Sequence, residues 1–261
     1  MSAPLDLAVA WRSELGQRKT NEDKVRICRE GPRWVAVLAD GAGGHRGGAE
    51  ASMRAVDALE AALCDEDAEF SARFLTAAVL AAHEQVVSAQ QNTHGVARMH
   101  ATVVVLWIDI DRASALWSHV GDSRLYRVRQ GVAALLTSDD SVVQRMVEAG
   151  LLSAEQAGAH PQKNQLIAAL GIEEDVDPHT LSVPVALLEG DAFLLCSDGW
   201  WDALDPEGIA ADLARGGSPH DWLDAMQERI VARAAPRQDN FSAVAVLVRD
   251  PIESTRPIAM G

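Results

Sequence analysis

Three short β-rich segments, LAVAWRSE (7–14), KVRICRE (24–30) and WVAVLAD (34–40), follow one another before any helical periodicity begins. Polar turns separate them, as in an antiparallel sheet. Two stretches of helical period come next. GAEASMRAVDALEAAL (48–63) places Ala51, Ala55, Leu59 and Ala62 on one face, and SARFLTAAVLAAHEQVVSAQQ (71–91) does the same with Phe74, Ala77, Ala78, Ala81 and Val86. A second β-rich block then runs through ATVVVLWIDI, SALWSHVG, RLYRVRQG and VAALLT, in which Leu125 and Tyr126 alternating with arginines suit a strand with one wet face. Strands, helices and strands in blocks, without regular alternation, argue for an α+β arrangement of two packed sheets with helices outside, and against a doubly wound parallel sheet.

From Asp139 to Gly171 the chain turns polar and helical, in SVVQRMVEAGLL and SAEQAGAHPQKNQLIAAL, and reads as a flap. After it come a strand near HTLSVPV, a strong strand at DAFLLCSDG, the helices PEGIAADLARG and HDWLDAMQERIVARAA, and a last strand, FSAVAVLV. No repeat or low-complexity linker interrupts this order, so residues 1–248 read as a single domain, with a tail over 249–261. A chain of 261 residues that is 48% hydrophobic can bury a substantial core.

The net charge of −15, with no basic cluster, excludes nucleic acid as a natural partner. The longest apolar run is far too short to span a bilayer, and the first residues lack a basic start ahead of an apolar stretch, so the expected place is the cytoplasm. Cys28, Cys64 and Cys196 are few, odd in number and without a C-x-x-C pair. They read as small buried hydrophobes and not as a disulfide framework.

The stretch VAVLADGAGGHRGG (35–48) fits two chemistries at first sight, a phosphate cradle or a metal ligand at a strand end. The cradle is weak, because Arg46 stands at the sixth position of the dinucleotide fingerprint begun at Gly41 and the chain has no Gly-Lys pair for a P-loop. The metal reading gains from repetition. VAVLADG and AFLLCSDG are both apolar runs that end in Asp-Gly, at Asp40 and Asp198, and neither is followed by a returning strand. A third acid, Asp239, stands just before the last strand. Carboxylates at strand ends can meet at one sheet edge, where hard oxygen ligands suit Mg²⁺ or Mn²⁺. On spacing alone this reading and that of ordinary turn residues both remain open.

Seven phrases, in order from Gly16 to Val248, carry a resemblance: GQRKTNEDK, VAVLADGAGGHRGGAEAS, HVGDSRLYRVRQG, LTSDDSVVQRMVEAG, HPQKNQLIAALG, GDAFLLCSDGWWDAL and QDNFSAVAVLV. The chain resembles the metal-dependent Ser/Thr protein phosphatases of the PP2C (PPM) family, particularly the short bacterial ones. The resemblance implies an α-β-β-α sandwich of two mainly antiparallel sheets, with a two-metal centre of Mn²⁺ or Mg²⁺ at one end. Carried over residue by residue, it makes Asp40 the bridge between both ions, Gly41 a carbonyl ligand, Asp198 and Asp239 ligands of the second ion, and Glu22 a ligand through water. Arg18 would hold the substrate phosphate. Asp122, Asp202 and Asn240 would support the ligands without binding metal. Paired cations would activate a water for in-line attack on phosphorus, with no phosphoenzyme.

Departures from the family pattern bear on this expectation. Ala42 stands where animal members carry a His, and His45 is displaced by glycines. GVARMHATVV holds no acid where bacterial relatives place a third-ion Asp, so a third ion of the usual kind is not expected. Asp140 takes the place of a common His, and His100 that of a Gly. The function expected is removal of phosphate from Ser or Thr of a bacterial phosphoprotein, reversing a cognate kinase. A link to type VI secretion is a further expectation by resemblance. The alternatives are a catalytically silent binding module and a phosphatase of small metabolites.

Overall fold

The computed structural model describes residues 5–42, 46–91, 99–172, 175–233 and 238–249. The first block of β periodicity forms β1 (Asp6–Glu14), β2 (Lys24–Glu30) and β3 (Arg33–Ala39), followed by the two-residue β4 (Gly41–Ala42). Helices α1 (Arg46–Leu63) and α2 (Ala72–Gln91) come next. The second block is β5 (His100–Ala101), β6 (Val103–Asp109), β7 (Ser114–Val120), β8 (Arg124–Arg129) and β9 (Val132–Leu135). The flap region holds α3 (Val142–Glu148) and α4 (Ala154–Gly158). After it run β10 (His179–Thr180), β11 (Val185–Ala186), β12 (Ala192–Cys196), the single turn α5 (Asp198–Trp201), α6 (Pro206–Arg215), α7 (Pro219–Arg233) and β13 (Phe241–Arg249).

These strands make two large antiparallel sheets, one ordered β1-β13-β12-β8-β9 and the other β10-β7-β6-β3-β2, with β11 also on β7, while β4 and β5 pair with each other. The fold is the expected α-β-β-α sandwich. Between the sheets lie Leu38, Leu106, Phe193, Leu195, Val244 and Val246. Outside the second sheet, α1 and α2 cover Val35, Val37, Val105 and Trp107 with Leu59, Leu75 and Val79. Outside the first, Trp200, Trp222, Ile209 and Met226 cover Leu194, Ala243 and Ala245. Strands β3, β6, β12 and β13 are therefore buried on both faces, which is why they read as unbroken apolar runs. Full burial of each large side chain contributes roughly 1.5–3 kcal/mol.

The structure corrects several readings of the sequence. Helix α2 turns a different stripe inward: Leu75, Val79, Ala82, Val86 and Ala89 are buried with Ala78, while Ala77 and Ala81 face solvent. Alanines occupy both sides of this helix, so period alone could not choose the face. Strand β8 has no wholly wet face. Leu125 packs between the sheets, Tyr126 and Val128 pack under α6 and α7, and the Arg124 guanidinium lies 3.5 Å from the centre of the Trp201 ring. In the flap, helix is confined to α3 and α4, and the chain from Ala159 to Leu170 is turns and loop. The last strand reaches Arg249, one residue beyond the expected boundary, and 250–261 lie outside the described residues.

Cys28 on β2 and Cys64 after α1 are joined in a disulfide, with Cα atoms 6.5 Å apart, while Cys196 is free and buried. The sequence carried no Cys spacing that announces this bond, which packing of α1 across β2 creates. Among the described residues no helix is long and apolar enough to cross a membrane. Protein purified and denatured without reductant should titrate one thiol, and after reduction three; opening the 36-residue loop by Cys64→Ser should cost about 4 kcal/mol in denaturant unfolding. Reducing compartments keep such bonds open, so three thiols in protein quenched directly from cells would mean that the bond is absent where the chain works.

Candidate active site

The ends of β3, from one sheet, and of β12 and β13, from the other, meet at one end of the sandwich. Asp40 follows β3, Asp198 opens α5 after β12, and Asp239 stands before β13. A cavity of about 670 Å³ there is lined by Arg18, Glu22, Asp40, Gly41, Asp122, Asp198, Asp239 and Asn240. Eight of the nine residues singled out in the sequence thus share one wall. The ninth, Asp202, lies in a neighbouring hollow, where it takes an ion pair from Lys163 at 2.5 Å.

Local packing explains how the loops are held. Asp40 donates its N–H to Thr102 Oγ1 (3.2 Å), and the Thr102 N–H returns to the Asp40 carbonyl (2.8 Å). Thr102 Oγ1 is in turn 2.7 Å from Ser123 Oγ. Asn240 is the tie between loop and strand: its Oδ1 accepts the Glu22 N–H (2.9 Å) and its Nδ2 donates to the Leu15 carbonyl (2.9 Å). Arg18 forms an ion pair with Asp239 at the rim. Gly41 and Gly48 serve close approach: a Cβ on Gly41 would fall 2.3 Å from the Gly48 carbonyl oxygen, and one on Gly48 would fall 2.2 Å from Glu22 Oε2. Removing both Cβ atoms lets α1 start directly behind the Asp-Gly turn with the Glu22 carboxylate between them.

Asp23, overlooked in the sequence, lies behind this wall. It is buried, its Oδ2 accepts the Ser197 hydroxyl (2.9 Å), and its Oδ1 has no partner. The signal was present in NEDK, where strict alternation sends Asp23 inward if Glu22 faces the cavity. Flap residues Asn164 and Leu166 also line the cavity, and no sequence pattern marked them. Ala42 lines it at the position where animal members carry a His, and His45 lies outside the described residues.

Crowding of carboxylates sets the electrostatics. Burial, and then the charges of Asp23, Asp198, Asp122 and Asp239, push the Asp40 carboxyl well above the usual range. Burial raises Asp122 strongly as well, with Asp198 next in effect. Asp198 is pushed up to about 7, by burial first and then by Asp239 and Asp23. Asp23 is pushed up to about 6 by burial. Among the described residues, the cavity sets Arg18 and Lys19 as its cations against five lining acids. An all-oxygen donor set with excess negative charge, and an orphaned carboxylate oxygen behind it, fits hard divalent cations. Among the described residues no three His, Cys, Asp or Glu side chains already surround a single point.

Fold and site together define a protein of the PP2C class. The protein phosphatase 2C family model matches residues 12–238, and the chain belongs to that family. The Serine/threonine protein phosphatase PstP of Mycobacterium tuberculosis is 34% identical over 98% of this chain; the chain spans only 48% of that relative's length. A structure of the PstP catalytic domain in complex with two manganese ions superposes with a TM-score of 0.82, at 30% identity, covering 94% of this chain and 100% of that one. PppA, a key regulatory component of T6SS in Pseudomonas aeruginosa, is 30% identical over 93% of this chain and 97% of its own, with a TM-score of 0.75.

The raised carboxyls make a prediction about cations and protons. In metal-free protein, Asp23 and Asp198 bind protons more tightly folded than unfolded. The stability they contribute is complete below the unfolded value near 4 and is lost as pH rises through about 6 and 7. Divalent cations should reverse the loss by binding the ionised form. Saturating Mn²⁺ should raise Tm by about 5–10 °C at about pH 7.5 and by clearly less at about pH 5. Thermal unfolding at both pH values checks this, and an equal shift at both would contradict it.

Proposed function

We propose that residues 1–248 form one phosphatase domain that removes phosphate from phosphoserine and phosphothreonine of a bacterial protein, opposing a Ser/Thr kinase. The observation that carries the reading is the convergence of Asp40, Asp198 and Asp239, from the edges of two facing sheets, on one cavity with Arg18 at its rim. Asp40 and the Gly41 carbonyl would hold one divalent ion, with Asp40 shared by a second that Asp198 and Asp239 complete, and Glu22 would act through water. Such ions, when bound, supply charge stabilisation on the phosphoryl oxygens and lower the pKa of water.

The protein's own contribution is placement. Asp239 holds the exposed Arg18 guanidinium at the rim, where its planar N–H groups can engage two phosphate oxygens. Thr102, itself held by Ser123, fixes the backbone of Asp40, and Asn240 fixes that of Glu22, so both carboxylates start from anchored main chain. The exposed rim residues Gln17, Lys19, Thr20 and Asn164 leave room for a polypeptide. This favours a protein substrate over a small metabolite. Likeness to PppA supports a place beside a type VI secretion system, and an ATP-using kinase as counterpart would favour the cytoplasm as the site of the reaction. The finer choice between Mn²⁺ and Mg²⁺ belongs to metal titration.

After EDTA treatment, added Mn²⁺ should restore hydrolysis of p-nitrophenyl phosphate and of a phosphothreonine peptide. Asp198→Asn should abolish that restoration. Arg18→Ala should raise KM for the peptide about tenfold, the worth of a charge-assisted hydrogen bond. Wild-type protein that turns over neither substrate would leave a silent binding module as the better account. Turnover of small phosphates alone would favour a metabolite enzyme.

A further inference from the structure

Asp140, the acid that takes the place of a common family His, sits at the neck of the flap and is almost fully buried. Its backbone N–H donates to the Gly121 carbonyl (3.0 Å), and its own carbonyl accepts the Ile167 N–H (2.8 Å). Ser141 bridges to Leu166, and the Val142 N–H donates to the Gln165 carbonyl (2.9 Å). The two strands of the neck are thus paired with each other and hung on Gly121. Both neighbours of this junction reach the catalytic cavity, Asp122 from the wall and Leu166 from the flap.

The Asp140 carboxylate locks the junction. Oδ2 accepts the Gly121 N–H (2.9 Å), and Oδ1 accepts the Nε2–H of His179 on β10 (2.9 Å). The His179 ring stacks on that of His119, with centroids 4.8 Å apart. His119 donates its own Nε2–H to the Ser138 carbonyl (2.8 Å), and its buried Nδ1 has no partner. Burial lowers the pKa of His119, which keeps it neutral as a platform for the second ring. The far end of the flap is held separately: Leu170 and Ala101 pair backbone to backbone, and the Gly171 N–H donates to His83 Nδ1 (3.2 Å).

We propose that His179 is a positioning residue for the catalytic cavity: by holding the Asp140 carboxylate it fixes the flap neck against the Gly121–Asp122 wall, so that Asn164 and Leu166 stand over the place where a substrate's phosphoresidue enters. The last clause rests on the phosphatase reading; the clamp itself does not. Nearly half of the His179 side chain is exposed and its one ring contact is with His119, so a replacement that keeps a ring there leaves that packing in place.

Amide hydrogen exchange tests the clamp without any activity. His179→Phe keeps a ring on His119 but removes the donor, and His179→Gln keeps an N–H that can reach the carboxylate. The Phe variant should speed exchange at Asp140, Val142 and Ile167 by about tenfold, as expected for loss of one charge-assisted hydrogen bond, while Leu170 and Gly171 stay at the wild-type rate. The Gln variant should return near to wild type. Asp140→Asn, with one acceptor oxygen left for two donors, should speed the same three amides. In turnover, the Phe variant should raise KM for a phosphothreonine peptide several-fold and leave kcat for p-nitrophenyl phosphate within about twofold. Wild-type exchange in the Phe variant, or a Gln variant as fast as Phe, would overturn the proposal. If the wild type turns over nothing, the phosphatase reading falls, and the exchange rates still decide the clamp.

Discussion

Repulsion among carboxylates that the two sheets force together is the constraint on which the rest of this structure depends. Asp40, Asp122, Asp198 and Asp239 face one cavity, Asp23 lies buried behind it, and each of the first three carboxyls named here is driven upward chiefly by burial. Asp122 is buried and Asp40, Asp198 and Asp239 are half-buried, so each faces the cavity and not open solvent. The backbones of Asp40, Asp198 and Asp239 are anchored by β3, β12 and β13, strands whose side chains are packed on both faces in close-packed cores, and Asp122 stands between β7 and β8. The sandwich therefore holds a locally unfavourable arrangement that cations relieve, and binding strength for the ions is in part the release of that repulsion.

Neutral groups around the acids do the complementary task of aiming them. Asn240, Thr102 and Ser123 touch backbone and hydroxyl atoms, and so they fix position without adding charge. The pairing of Gly41 with Gly48 shows the same economy: two missing Cβ atoms let a helix, a turn and the Glu22 carboxylate occupy a space that larger residues would fill. In a stretch that resembled a phosphate cradle, Gly41 and Gly48 serve close packing beside the acid-lined cavity. The flap is joined to that rigid frame at two separate places, which allows its middle to vary while its neck stays registered with the cavity wall.

Much of this was legible in the sequence, and the exceptions have physical causes. Strand ends at Asp40 and Asp198 were readable because a strand buried on both faces is an apolar run that stops abruptly at the first acid. The inward face of α2 was not, since alanines at 77, 78, 81 and 82 give the helix two nearly equal sides. The Cys28–Cys64 bond depends on how α1 crosses β2, a relation between elements that no local pattern encodes. Asp23 was hidden by its neighbour Glu22, which took the functional reading for the whole phrase. Asp140 stood out only as a departure from the family, and its meaning needed His179, brought from 39 residues away by β10 pairing with β7.

The most direct measurement is the number of Mn²⁺ ions bound per chain, followed by equilibrium dialysis with elemental analysis while hydrolysis of a phosphothreonine peptide is recorded on the same samples. The account predicts that turnover appears only as the second ion binds, and that Asp198→Asn binds fewer ions and stays inactive. Full turnover in protein shown to hold no divalent metal would contradict it, as would two tightly bound ions in the Asp198→Asn variant.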